Sequence, residues 1–119
     1  MELLDLYPSL ADLCRLKPPH KLQGESLRPV LNNRSVAWNR PAYTQVVRKS
    51  VGMGFSVRHG DWRLTHWGVD GSGGVELYQV KEDKEGYYNH AEDPKQAARL
   101  DWLYRQLKQG YPQITRGSQ

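Results

Sequence analysis

Between Met53 and Trp67 the chain reads MGFSVRHGDWRLTHW, with apolar side chains at every second position on both sides of Gly60-Asp61. Alternation at period two marks a half-buried strand, and a Gly-Asp pair between two such runs marks a tight turn. Met53, Phe55 and Val57 share one face, with Ser56 and Arg58 on the other. On the return strand Trp62, Leu64 and His66 oppose Arg63, Thr65 and Trp67. A lone hairpin is marginal in water, so this one demands further strands and a cover for its apolar face. AYTQVV (42–47) and VELYQV (75–80) supply two more strands of β-branched and aromatic character. The glycine-rich VDGSGG (69–74) between them lacks phosphate-loop spacing and a following Lys-Ser/Thr, so it reads as a turn. Four strands in series with short connections predict an antiparallel meander.

The cover is written next. DPKQAARLDWLYRQLKQGYP (93–112) offers Asp93 as N-cap, Pro94 at the first helical position and Gln96 to complete a capping box. Leu100, Leu103, Tyr104 and Leu107 form an apolar stripe that should lie on one face of the sheet, with Trp102 near it. Gly110 and Pro112 stop the helix, and Lys108 suits its C-terminal dipole. The tail QITRGSQ reads as frayed. A second helix is predicted from about Asp5 to Leu16, ended by KPP, with Leu6, Leu10, Leu13 and then Leu16 or Cys14 on one face. Such a stripe is usually core, and Cys14 within it reads as a buried thiol. Residues 17–41 are loop-rich; ESLRPVL fits one helical turn capped by Ser26, and NNRS a surface turn. The expected architecture is α+β: a four-stranded antiparallel sheet with a C-terminal helix packed on one face, plus an N-terminal helix. The expected divisions are an N-terminal segment 1–36, the sheet and helix 37–110, and a tail 111–119.

Of 119 residues, 38% are hydrophobic and the mean hydropathy is −0.78, which is polar for a self-sufficient globule. Either the ends are partly unstructured or the piece packs against something else. The net charge of +4 favours polyanionic partners without specifying one. One cysteine excludes an internal disulfide and a multi-Cys metal site. No segment approaches the about 20 apolar residues of a membrane span. MELLDLYPSL lacks the basic region of a signal peptide, and localisation stays open.

For chemistry, Ser56, His59, Asp61 and His66 are the candidates for a nucleophile and base, but strand parity turns Ser56 away from His59. The four histidines include no close pair at metal-ligand spacing, and His66 reads as a half-buried strand residue. Four Trp and seven Tyr leave some aromatic rings free to stack on sugars or bases beside Arg58 and Arg63. Arg58 fits an ion pair or a carbonyl contact as well as it fits a ligand.

The order of these pieces resembles the C-terminal part of the sulfatase family, closest in look to its iduronate-2-sulfatase-like subgroup. LLDLYPSLADLCRLKPP is similar to the family's V-D-L-Y-P-T-L-A-D-L-C-G-L helix. LQGESLRPVL matches L-x-G-x-S-L-x-P-L-L, then come RPAYTQ and GFSVRHGDWRLTHW, and ELYQVKEDKEGYYNHAEDP is similar to E-L-Y-D-x-x-x-D-P-x-E-x-x-N-L-A. The resemblance runs over about residues 3–108. Arg15 stands where the family has Gly, Lys84 where it has Pro, and His90 where it has Leu.

The resemblance implies the small subdomain of a sulfuric ester hydrolase acting on sulfated glycans, whose role is to wall the substrate cleft and stabilise a large catalytic domain. The family's formylglycine arises from a Cys/Ser-x-Pro-x-Arg motif, and Cys14, followed by RLKP, is not that motif. The formylglycine, the calcium and the catalytic residues are therefore expected in a separate large domain, with no catalytic or metal residue in this chain. Arg58 and His59, then Trp67 and Gln45, are the expected contacts to an anionic sugar. The alternative is a stand-alone basic module that binds sulfated polysaccharide without catalysis. Nucleic acid is a less favoured partner, and no membrane is expected.

Overall fold

The computed structural model describes residues 1–115 and divides into two compact units, residues 1–40 and the chain from Pro41 onward.

The second unit is the meander. β1 (Ala42–Arg48), β2 (Gly52–His59), β3 (Trp62–Trp67) and β4 (Val75–Gln79) pair antiparallel in chain order. The register sets Tyr43 opposite Val57, Val57 opposite Leu64 and Leu64 opposite Leu77, one apolar row across all four strands. A parallel row holds Gln45, Phe55, His66 and Val75. The helix that covers this face of the sheet is the last in sequence, α3 (Ala97–Gly110). Its Leu100, Leu103 and Leu107 close on Phe55, Val57, Trp62, Leu64 and Leu77. Each such leucine, fully buried, contributes about 1.5–3 kcal/mol relative to exposure.

Four details depart from expectation. Asp93 does cap, accepting from Lys95 N at 2.9 Å, but the turn it caps is the 3-10 segment Pro94–Gln96. Gln96 accepts from Arg99 Nε at 3.2 Å instead of closing a capping box. Trp102 is 36% exposed, because it stands two residues from Leu100 and turns away from the stripe. Ile114 is not frayed: it is 2% exposed within the core, and Thr115 N donates to Val69 O at 2.8 Å. The rest of the expected tail, 116–119, lies outside the described residues. Gly110 does end the helix, and it also lies against Tyr43, since a Cβ there would fall 2.5 Å from Tyr43 Cε1.

The opposite sheet face is buried at its centre, at Gly54, Ser56, Thr65 and Trp67. Ser56 Oγ donates to Leu64 O at 3.1 Å and accepts from Thr65 Oγ1 at 3.2 Å. Trp67 lies flat over its cross-strand partner Gly54, and the Arg48 guanidinium sits 4.9 Å above the ring. At the β4 edge Asn89 imitates a strand: its Oδ1 accepts from Leu77 N at 2.9 Å and its Nδ2 donates to Val75 O at 3.0 Å. His90 N then donates to Leu77 O.

The first unit holds a 3-10 turn (Leu3–Asp5) leading into α1 (Leu6–Leu13), and a short α2 (Arg28–Asn32). Its inner side is polar. Asp5 Oδ1 accepts from Glu25 N, Ser9 Oγ accepts from Leu27 N at 2.8 Å, and Asp12 takes Ser26 Oγ and Arg28 Nη1 at 2.6 and 2.8 Å. Burial pushes the Asp5 carboxyl up, but the Glu25 and Glu2 N–H groups and Arg40 outweigh it and hold it below its ordinary value. Gly24 meets the Leu4 carbonyl so closely that no Cβ fits. With that side taken, the expected apolar stripe faces outward: Leu6, Leu10 and Leu13 are about half exposed within this chain and Leu16 is 67% exposed. Cys14 is exposed as well, contrary to its expected burial. It ends the helix in a Schellman arrangement, with Leu16 N bonded to Ala11 O, Arg15 N to Asp12 O, and Arg15 in the left-handed region at φ 56°. Ser26 Oγ accepts from Arg28 N at 3.2 Å, one residue ahead of the α2 N-cap, Leu27.

Candidate functional site

The four residues expected to touch a sugar fall on both faces of the sheet. Gln45 and His59 lie on the α3 side; Arg58 and Trp67 lie on the other. Arg58 is exposed and its Nε reaches Gly60 O at 3.5 Å, the carbonyl contact that was one of its two readings. Trp67 is 4% exposed, its ring held by Gly54 and Arg48. Arg58 pairs with Arg63, four register positions from Trp67, which is about 13 Å at roughly 3.3 Å per residue. The four do not converge on one point.

Nor do the hydrolytic candidates. Ser56 faces away from His59 and is bonded to Leu64 O. His66 is wholly buried instead of half-buried, edge-on to Tyr104, with Nδ1 at 2.9 Å from Gly68 O and Nε2 without a hydrogen-bond partner among the described residues. Burial holds this imidazole below its ordinary pKa, against the opposing pull of Gly68 O and Asp70. A neutral ring with Nδ1–H donating to the carbonyl fits that setting.

Convergence occurs elsewhere on the α3 side. The β2–β3 turn brings His59 and Trp62 up to the first turns of α3, which carry Arg99, Trp102 and Leu103. These five side chains line an open cleft of about 210 Å³. The His59 ring lies 4.6 Å from the Trp102 ring, and the Arg99 guanidinium lies 4.6 Å over the Trp62 ring. His90 packs edge-on to Trp62 at 5.5 Å. Among the described residues the lining offers two indoles, a guanidinium and an imidazole, and no carboxylate. His59 was expected at a site; Trp62, Arg99 and Trp102 were not. The available signal was the aromatic excess, but only the packing of α3 shows which rings meet.

The fold recurs in solved structures. A protein solved in complex with its substrate D-glucosamine-2-N,6-O-disulfate superposes with a TM-score of 0.74 over 92% of this chain and 24% of its own, at 24% identity. A 2-O GAG sulfatase superposes at 0.63 with 28% identity, over 98% of this chain and 27% of its own. The phosphonate monoester hydrolase of Agrobacterium radiobacter shares the fold at 0.64 and 20% identity, over 93% of this chain and 25% of its own. The chain thus spans about a quarter of the length of these structures. No curated protein sequence matches it.

The meander with its C-terminal helix is that of a sulfatase-family C-terminal subdomain. The family profile for "N-sulphoglucosamine sulphohydrolase, C-terminal" matches residues 1–113, and the chain belongs to that family. This shows sulfatase kinship in general; the iduronate-2-sulfatase-like subgroup is a finer reading. The family's calcium and formylglycine find no fit in the described residues. Calcium takes six to eight oxygen ligands, and among the described residues no three His, Cys, Asp or Glu side chains gather to hold a metal. Cys14, the sole cysteine, stands in no Cys-x-Pro-x-Arg frame. Among the described residues no helix is long and apolar enough to cross a membrane.

Proposed function

We propose that this subdomain works with a large sulfatase catalytic domain on a sulfated glycan, walling one side of the substrate cleft and stabilising its partner. The match over residues 1–113 to a sulfatase C-terminal family carries the reading. The outward leucines of the first unit support it, since a contiguous apolar stripe favours a covering surface. Within that reading, the iduronate-2-sulfatase-like subgroup draws support from the likeness to a 2-O GAG sulfatase, whereas the family description names an N-sulfated amino sugar. Arg58 and His59, at the turn end of β2, are the first of the proposed sugar contacts, followed by Trp67 and Gln45.

The test uses the chain purified alone and the same chain joined to its catalytic domain, both assayed on aryl sulfate, 2-O-sulfated uronate and N-sulfated glucosamine substrates. The expected result is turnover by the joined protein only. Turnover by the chain alone would overturn the division of labour, and a phosphonate monoester hydrolysed in preference to every sulfate would overturn the substrate class.

A further inference from the structure

We propose that the cleft between the β2–β3 turn and the start of α3 binds one sulfated pyranose unit, with Trp102 against the sugar ring and Arg99 on the sulfate. The proposal rests on the sulfatase reading and names where in this subdomain the glycan is held. Three observations carry it.

The first is composition. His59, Trp62, Arg99, Trp102 and Leu103 line the cleft, so among the described residues a bound anion meets no carboxylate in its wall. The second is order. Arg99 is stacked on the Trp62 indole and its Nε is tied to Gln96 Oε1, so the guanidinium plane is held before a ligand arrives. A sulfate group is an acceptor only, and a fixed planar fork of N–H donors suits it better than a mobile ammonium. Pre-organising that fork lowers the entropic cost of binding. The third is size. At about 210 Å³ the cleft is smaller than the roughly 300–1,000 Å³ typical for drug-sized ligands, which suits a single ring. Trp102, 36% exposed and backed by His59, presents indole surface for the apolar side of that ring. Single-stranded nucleic acid also stacks on aromatics, but it calls for a groove tracking several nucleotides, and this is one short cleft.

The experiment titrates the full chain with a heparin-derived N-sulfated disaccharide, its desulfated counterpart and oligo(dT), read by calorimetry and Trp fluorescence. The sulfated sugar is expected to bind and the desulfated one to bind at least about tenfold more weakly. Arg99→Ala and Trp102→Ala should each weaken binding by about tenfold or more, Arg99→Lys by less than Arg99→Ala, and Lys108→Ala by no more than about twofold. Circular dichroism checks that each variant is folded. Equal binding by wild type, Arg99→Ala and Trp102→Ala overturns the cleft assignment. Preferential binding of oligo(dT) overturns the ligand class. If those variants bind normally while the joined protein still hydrolyses sulfated glycan, only this inference fails; if no sulfated sugar is bound or hydrolysed, the sulfatase reading fails with it.

Discussion

Gly54 and Trp67 face each other across β2 and β3 with no room for one more carbon. An alanine Cβ at position 54 would stand 2.5, 2.7 and 3.0 Å from Cζ3, Cε3 and Cη2 of the Trp67 ring. Carbon atoms rest at about 3.5–4.0 Å, so the ring would have to retreat by about 1 Å. It has little freedom to do so. A Cβ at Gly73 would lie 2.7 Å from Trp67 Cβ, and Arg48 lies over the ring. Overpacking of this kind costs about 1–3 kcal/mol, while the stiffer unfolded chain of an alanine variant returns about 0.4–1 kcal/mol. Gly54→Ala should therefore destabilise the protein by about 1–2 kcal/mol net. With a urea slope of about 2 kcal/mol per molar, the unfolding midpoint should fall by about 0.5–1 M, followed by Trp fluorescence and circular dichroism. Trp67→Leu gives the decisive control. It is destabilising alone, but adding Gly54→Ala to it should cost less than in the wild type, because the clashing ring is gone. An additive double-mutant cycle, or an unchanged midpoint for Gly54→Ala, would refute the steric account.

Three further outcomes are expected. Arg15→Gly should raise stability by about 0.5–1 kcal/mol, because Arg15 occupies the left-handed region that closes α1, whereas Arg15→Ala should bring no such gain; urea midpoints of the two variants check it. Asn89→Ala should cost about 1–3 kcal/mol and speed amide exchange at Leu77, since it removes the side chain that pairs the β4 edge; exchange unchanged from wild type would contradict that role. His66 is held below its ordinary pKa, so its contribution is present above the unfolded value of about 6.5 and is lost as pH falls from there through the folded value. Stability should decline as pH falls below about 6.5, by no more than about 1.4 kcal/mol per pH unit from this group, and the decline should be shallower in His66→Phe; parallel pH profiles would rule the group out.

What the sequence revealed was local. Period-two alternation placed β2 and β3 and sorted their faces, and the leucine spacing placed the buried side of α3. What it missed depends on groups distant in the chain. Nothing in QITRGSQ signals that Ile114 fills a gap beneath the sheet, because that gap exists only after α3 has docked. Asn89 reads as a loop polar residue until β4 offers it an edge. The α1 leucines obey a core pattern, yet the side facing residues 24–28 is built on Asp5, Ser9 and Asp12, which bond to backbone that only tertiary structure delivers. The site followed the same rule: His59 and Trp62 stand within one hairpin, but the Trp102 ring and the Arg99 guanidinium that join them arrive from α3, some 40 residues later.

The position of Ile114 also bears on how the molecule is made. It is wholly enclosed by a cluster whose other members begin at Phe55, and Thr115 clasps the β3–β4 loop at Val69. During synthesis the four strands leave the ribosome before either of these residues. The nascent sheet must then wait with its apolar face uncovered until α3 and this final clasp emerge, a window in which binding by chaperones competes with aggregation.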